Sequence, residues 1–206
     1  MIRATGDATG GRGSDPEAVW EVQEAGALTT VQDRGRIGWA HLGVPRAGAL
    51  DAPAAALANR LVGNAPDAAL LEVTLGGLQV HAGAGRWVAV TGAPAPVAVA
   101  GRPSEHGRAV WLPAGATLRL GSPRTAVRSY VAVAGGIAVE PVLGSRATDT
   151  LAWVGPPRVR PGAVLPLGTP VPKAGPRPLE TPRPRRPGAL RVAPGPRADW
   201  FAGDPL

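Results

Sequence analysis

At 206 residues, 44% hydrophobic and 18% charged, the chain has a globular composition and length for one domain plus part of a second. It has no cysteine, which excludes disulfides, thiolate metal sites and a cysteine nucleophile, and its three histidines form no ligand-spaced pair, so no metal site is expected. The net charge of +7 does not read as a nucleic-acid footprint: residues 1–157 carry 13 basic and 12 acidic groups, residues 158–206 carry 9 and 3, and the excess therefore sits in a Pro-rich stretch.

Residues 1–17, MIRATGDATGGRGSDPE, lack an apolar segment of the kind a secretory signal needs and read as a disordered tail. No run of ~18 apolar residues suggests a membrane span. No nucleic-acid or membrane partner is expected, and the cytoplasm is the expected location. The 29 glycines and 24 prolines favour short strands joined by turns over long helices. AVWEVQE (18–24) alternates apolar and polar residues, the period of a half-buried strand, and Leu28, Thr30 and Val31 suggest a second one. Residues 34–50 contain too many breakers for a regular element and read as a long ordered loop.

Asp51 then has the character of a helix N-cap, with Pro53 in the first turn. Ala54, Leu57, Ala58 and Leu61 share one helical face, and Gly63-Asn64 is the stop. LLEVTLGGLQVHAG (70–83) reads as a strand pair across Gly76-Gly77. RWVAVTG, APVAVAG, AVWLPAGATLRLG and AVRSYVAVAGG follow as short strands at the rhythm of an all-β barrel or sandwich. Trp20, Trp87, Trp111 and Trp153 are expected in the core. Residues 171–188, VPKAGPRPLETPRPRRPG, resemble an extended linker, and 189–206 restart an ordered pattern.

The stretch TTVQDRGRIGWAHLGVPRAGALD (29–51) is the most function-laden in the chain. Gln32, Asp33, Arg34, Arg36, His41, Arg46 and Asp51 crowd together with glycines that let backbone approach a ligand and expose N–H groups to anions. Arg36 suits a bidentate clamp on a carboxylate or phosphate, and Asp33 suits orienting it or accepting a substrate N–H. Equally, Asp33 and Arg36 suit a structural ion pair pinning the loop. His41 is a candidate acid or base or an unremarkable lone histidine. Asp51 suits a cap better than a ligand, and Asn59 suits either a buried backbone contact or a substrate. Ser145, Arg146, Thr148 and Asp149 form a second cluster, readable as a cleft wall or as a self-satisfied turn. His81 and His106 are given no role. No GxxxxGK[ST] element and no Met-Lys biotinylation site occurs.

Thr30, Val31, Gln32, Asp33, Gly35, Arg36, Gly38, Gly43, Val44, Pro45, Gly48, Ala49 and Asp51 together resemble a pattern of the carboxyltransferase-type subunits. That family includes the C-type subunit of bacterial 5-oxoprolinase (KipA-like proteins) and the carboxyltransferase domain of urea carboxylase, also called allophanate hydrolase subunit 2. LANRLVGN (57–64), LEVTLGG (71–77), VTGA (90–93), YVAVAGGI (130–137), VLGSRATD (142–149) and LRVAPGPRADWF (190–201) are similar to further family blocks in the same order. Two departures stand out: VGPPRVRPGAVLPLG is shortened, with Ala163 where the family has Asp, and about 100 further residues of the family pattern have no counterpart here.

The resemblance implies a mainly β, cyclophilin-like β-barrel with one short helix over 18–170, followed by the start of a truncated second domain of the same kind at 189–206. It implies a subunit of an ATP-dependent 5-oxoprolinase or a biotin-dependent carboxyltransferase acting on a small amide, 5-oxoproline or urea-like. It implies a B-type (KipI-like) partner subunit, with no cofactor held by this chain alone and ATP or carboxybiotin supplied by a partner. Gln32, Asp33, Arg36, His41, Gly48, Asp51, Asn59, Ser145, Arg146 and Thr148 are the candidate substrate-binding residues. A non-catalytic antagonist that binds a kinase inhibitor, or an inactive fragment, is the alternative.

Overall fold

The computed structural model describes residues 18–170, 198–200 and 202. The expected tail 1–17, the linker 171–188 and most of the segment 189–206 lie outside the described residues. Two antiparallel sheets account for the regular structure of 18–170. Strands β1 (Val19–Ala25), β4 (Leu78–Ala82), β6 (Val97–Val99), β7 (Arg102–Ser104), β9 (Thr117–Leu120) and β11 (Val164–Pro166) form a six-stranded sheet in the order β11-β1-β4-β9-β6-β7. Strands β2 (Leu28–Gln32), β3 (Leu70–Thr74), β5 (Arg86–Gly92), β8 (Ala109–Leu112) and β10 (Arg128–Val133) form a five-stranded sheet in the order β2-β3-β10-β5-β8.

The period-two side-chain alternation of a strand explains the layering. Along β10, Val131 and Val133 join the core shared by both sheets, where they meet Trp20 and Val22 of β1. Tyr130 and Ala132 point to the opposite face, which α1 (Ala52–Leu61) covers with Ala55, Leu57, Ala58 and Leu61. The order through the domain is therefore six-stranded sheet, core, five-stranded sheet, helix. The Asp51 carboxylate accepts the Ala54 N–H at 3.0 Å, the cap expected from sequence and worth about 1 kcal/mol. Among the described residues no helix is long and apolar enough to cross a membrane.

Three expectations need correction. The mainly β class with one helix holds, but the sheets are two open layers and not a closed barrel. The segment 70–83 is not a paired hairpin: β3 and β4 belong to different sheets, and the chain switches sheet at Leu75, Gly76 and Gly77, all at positive φ. The β1–β2 connection switches at Gly26 in the same way, and a Cβ on Gly26 would collide with the Gly76 carbonyl. Two sheet-switching corners thus pack backbone to backbone, which only glycine permits. Finally, Trp20 is fully buried, but Trp111 lies on the edge strand β8 and Trp153 lies outside any strand, 73% exposed. Trp111 instead meets Trp87 edge-on, with ring centroids 5.5 Å apart, and the Arg158 guanidinium sits 5.9 Å from the Trp153 ring.

Candidate functional site

Strand β2 is an edge strand, and edge strands leave N–H and C=O groups unpaired. Here the segment 145–159 covers it. Thr148 N–H donates to the Val31 carbonyl at 2.8 Å, and Val159 N–H donates to the Thr29 carbonyl at 2.9 Å. The Gln32 amide adds bonds from its Nε2 to the Thr148 carbonyl and Thr30 Oγ1, each at 3.0 Å. The Thr148 carbonyl can only accept, so it fixes which end of the Gln32 amide faces it.

Two further residues of the motif bind the loop to the same segment. The Asp33 carboxylate accepts from Gly35 N–H (2.7 Å), Ser145 Oγ (2.6 Å) and Arg146 N–H (2.6 Å). Arg36, 2% exposed, donates from Nε to the Val142 carbonyl (3.2 Å) and from Nη2 to the Ala147 carbonyl (2.5 Å). Asp33 and Arg36 therefore do not form the ion pair that their charges and spacing suggest. Each reaches across to 142–147 instead, Asp33 to its middle at Ser145 and Arg146, and Arg36 to both ends at Val142 and Ala147.

Gly48 closes the loop onto itself. At φ 94° it lies against the backbone of Arg34 and Gly35, where a Cβ would come within 2.9 Å of the Arg34 carbonyl carbon. The next residues are fastened to the sheet: Leu50 N–H donates to Glu72 Oε2 (2.8 Å), and Asp51 N–H donates to Tyr130 Oη (2.7 Å). Tyr130 donates in turn to Glu72 Oε2 at 3.0 Å. Glu72 is buried but paired, with Arg128 Nη1 at 2.5 Å from its Oε1, as a buried carboxylate requires. Burial, with the Glu72 charge adding to it, pushes the Tyr130 phenol well above its usual range, so it keeps the proton it donates.

These elements enclose an open cleft of about 200 Å³. Gln32, Gly48 and Thr148 of the sequence-derived set line it, together with Glu72, Arg128 and Asp149. Thr148 and Asp149 also line a second cleft of about 230 Å³ beside Trp153, Arg158 and Arg160, so this corner separates the two. The other candidates lie elsewhere. Asp33, Arg36, Ser145 and Arg146 form the brace behind the wall. Asp51 caps α1. Asn59 is buried and donates to the Ala68 carbonyl at 2.8 Å. His41 is exposed, its Nδ1 3.0 Å from the Gly38 carbonyl and its ring stacked on Trp39.

Among the residues that line the cleft, Gln32 Oε1, Thr148 Oγ1, Asp149 Oδ2 and Arg128 Nε are themselves closed off from solvent and have no hydrogen-bond partner. Most buried acceptors in proteins are satisfied, and one left unmet costs about 1–3 kcal/mol. Glu72 and Arg128 escaped sequence reading for a different reason. They come together only through the β3–β10 register, which sets Tyr130 opposite Glu72 and Arg128 opposite Thr74. A lone acid inside the apolar run LLEVT was the available signal.

The model of the carboxyltransferase domain, subdomain A and B, matches residues 42–206. The chain belongs to this family. It is 44% identical over 135 residues to the C-type subunit of 5-oxoprolinase from Escherichia coli (strain K12), covering 66% of this chain and 44% of that protein. It is 38% identical over 150 residues to urea amidolyase of Lachancea kluyveri, covering 72% of this chain and 8% of that one. The chain thus spans less than half the length of these relatives. The crystal structure of TTHA0988 superimposes with a TM-score of 0.78 at 38% identity, covering 90% of this chain and 68% of that one. The urea amidolyase of Kluyveromyces lactis superimposes with a TM-score of 0.72 at 31% identity, covering 80% of this chain and 10% of that one.

Proposed function

We infer that the chain serves as a subunit of an enzyme that acts on a small amide, with ATP-dependent opening of 5-oxoproline as the reaction and a B-type subunit as the partner. The observation that carries this reading is the 44% identity to the C-type subunit of a 5-oxoprolinase. The cleft agrees with it in chemistry. Arg128 lines the cleft with 30% of its side chain exposed, and its Nη1 is anchored by Glu72. A guanidinium so held suits a substrate carboxylate, which 5-oxoproline has and urea lacks. Carboxyl transfer from carboxybiotin to a urea-like amide is the neighbouring reaction, favoured by the likeness to urea amidolyases.

In this reading ATP or carboxybiotin comes from the partner subunit or domain, and this chain binds and orients the amide. The test is co-expression with the B-type subunit, followed by an ATP-dependent 5-oxoproline assay and, separately, urea carboxylation with a biotin-bearing partner. Glutamate formation that stops when this chain is withheld supports the 5-oxoproline reading. A complete complex that turns over neither substrate overturns it.

A further inference from the structure

The second cleft, beside Trp153, is walled by cations that have no acidic partner. Val159 donates its N–H to the Thr29 carbonyl at 2.9 Å and is 7% exposed. Alternate residues of an extended stretch share a side, so Arg158 and Arg160 project together away from Val159, with Cα atoms roughly 7 Å apart. Both are exposed, and among the described residues neither has a salt bridge or an acceptor for its side-chain N–H groups. The Arg158 guanidinium lies 5.9 Å from the Trp153 ring, a contact that steadies the group without giving its N–H fork an acceptor.

A third cation lies behind the wall. Gly155 lines the cleft, and Arg36 Nη2 lies where a Cβ on Gly155 would sit. Arg36 is 2% exposed, its Nη1 has no partner, and among the described residues no acid lies within salt-bridge distance of it. A buried charge is screened far less than an exposed one, so Arg36 adds to the positive potential in the cleft. Asp149 is the one acid among the lining residues. Its Oδ1 accepts from the Leu151 and Ala152 N–H groups at 2.8 and 3.1 Å, and its Oδ2 is closed off from solvent.

We propose that this cleft is a phosphate site, in which Arg158 and Arg160 hold the oxygens of a phosphate-bearing ligand and the Arg36 charge attracts it from behind. A carboxylate offers two oxygens and one charge, which a single guanidinium fork satisfies. Two forks side by side suit a group with three terminal oxygens and close to two charges. The proposal concerns a different cleft from the small-amide site and does not depend on the reaction proposed there.

Calorimetric titration of the full chain at constant ionic strength tests it, with inorganic phosphate and succinate as probes at about pH 8, where phosphate is close to a dianion. The expected result is saturable phosphate binding, succinate at least about tenfold weaker, and phosphate about tenfold weaker in each of Arg158→Gln and Arg160→Gln. Arg119→Gln, an exposed arginine on β9 of the other sheet, removes the same net charge and should change phosphate affinity by less than about twofold. No saturable phosphate binding, or succinate binding as tightly as phosphate, overturns the site. So does wild-type affinity in both cleft variants, or a loss in Arg119→Gln as large as theirs. The comparison of the two anions needs no variant, so a misfolded variant does not blur the outcome. The titration needs neither a partner subunit nor turnover, so it succeeds or fails independently of the proposed reaction.

Discussion

Asp33 and Arg36 stand three residues apart with opposite charges, and neither touches the other: Asp33 holds Ser145 and Arg146, while Arg36 holds Val142 and Ala147. Between them they hold the 142–147 segment at four residues. The charges serve distant contacts, at sequence separations of 106 to 113 residues.

Asp33→Ala removes the acceptor of three hydrogen bonds, two of them to the 145–146 backbone and hydroxyl. Bonds to a charged acceptor each contribute about 1.5–3 kcal/mol, partly recovered by water when the loop opens. We expect a loss of about 2–3 kcal/mol in urea unfolding and earlier proteolytic cleavage within 142–150. Wild-type resistance of that segment in the variant would contradict the clamp.

Gly155→Ala strikes the other arm. At φ 92°, a Cβ there would collide with Arg36 Nη2 and the Ala147 carbonyl. Destabilisation should exceed the roughly 1 kcal/mol of an ordinary left-handed glycine replacement. Arg36→Lys should fall in the same direction, since one ammonium cannot reach both the Val142 and Ala147 carbonyls. Thermal unfolding of both variants alongside wild type decides this, and an unchanged midpoint in either would refute it.

Tyr130→Phe deletes the hydroxyl between Glu72 and the Asp51 N–H. Both are left short of one partner next to the helix cap. The expected cost is about 1–3 kcal/mol, with a loss of amide-exchange protection at Asp51. Protection unchanged at that amide would show that the hydroxyl does not hold it.

A pH dependence of stability comes from His106. Burial lowers its pKa from the usual 6.5, outweighing the backbone bonds to Thr91 and Ala93 that raise it, and its Nε2 is buried without a partner. The folded chain therefore binds this proton more weakly than the unfolded chain. Its contribution is full above about pH 6.5 and is lost as pH falls below that, through the lowered folded pKa. Melting temperature should drop faster between about pH 6.5 and 5 in wild type than in His106→Gln. Parallel curves would exclude His106 as the source.

Arg128→Lys tests the cationic wall within the proposed enzyme complex. The charge opposite Glu72 is kept, so the fold should hold, but the planar donor fork is lost. KM for 5-oxoproline should rise about tenfold with kcat changed less than about threefold. An unaltered KM would remove Arg128 from substrate binding.

Local signals were legible where one segment decides its own conformation. Asp51, Pro53 and the Leu57–Leu61 face specified α1, and the alternation of Trp20 and Val22 specified the inward side of β1. The resemblance located the Gln32 and Thr148 walls. Pairing was illegible wherever it depended on partners distant in sequence. Gly76-Gly77 signals a reversal equally well for a hairpin and for a sheet switch, and only the partners β10 and β9 decide between them. Glu72, Tyr130 and Arg128 are ordinary strand residues until the register sets them side by side.

The segment that walls the cleft is also what keeps β2 from being an open edge. Binding geometry and colloidal behaviour are therefore tied to the same few hydrogen bonds. A substitution that unlatches 145–159 uncovers Leu28–Gln32 as a template for a second chain, so loosened variants should precipitate as β-rich assemblies before the sheets themselves melt.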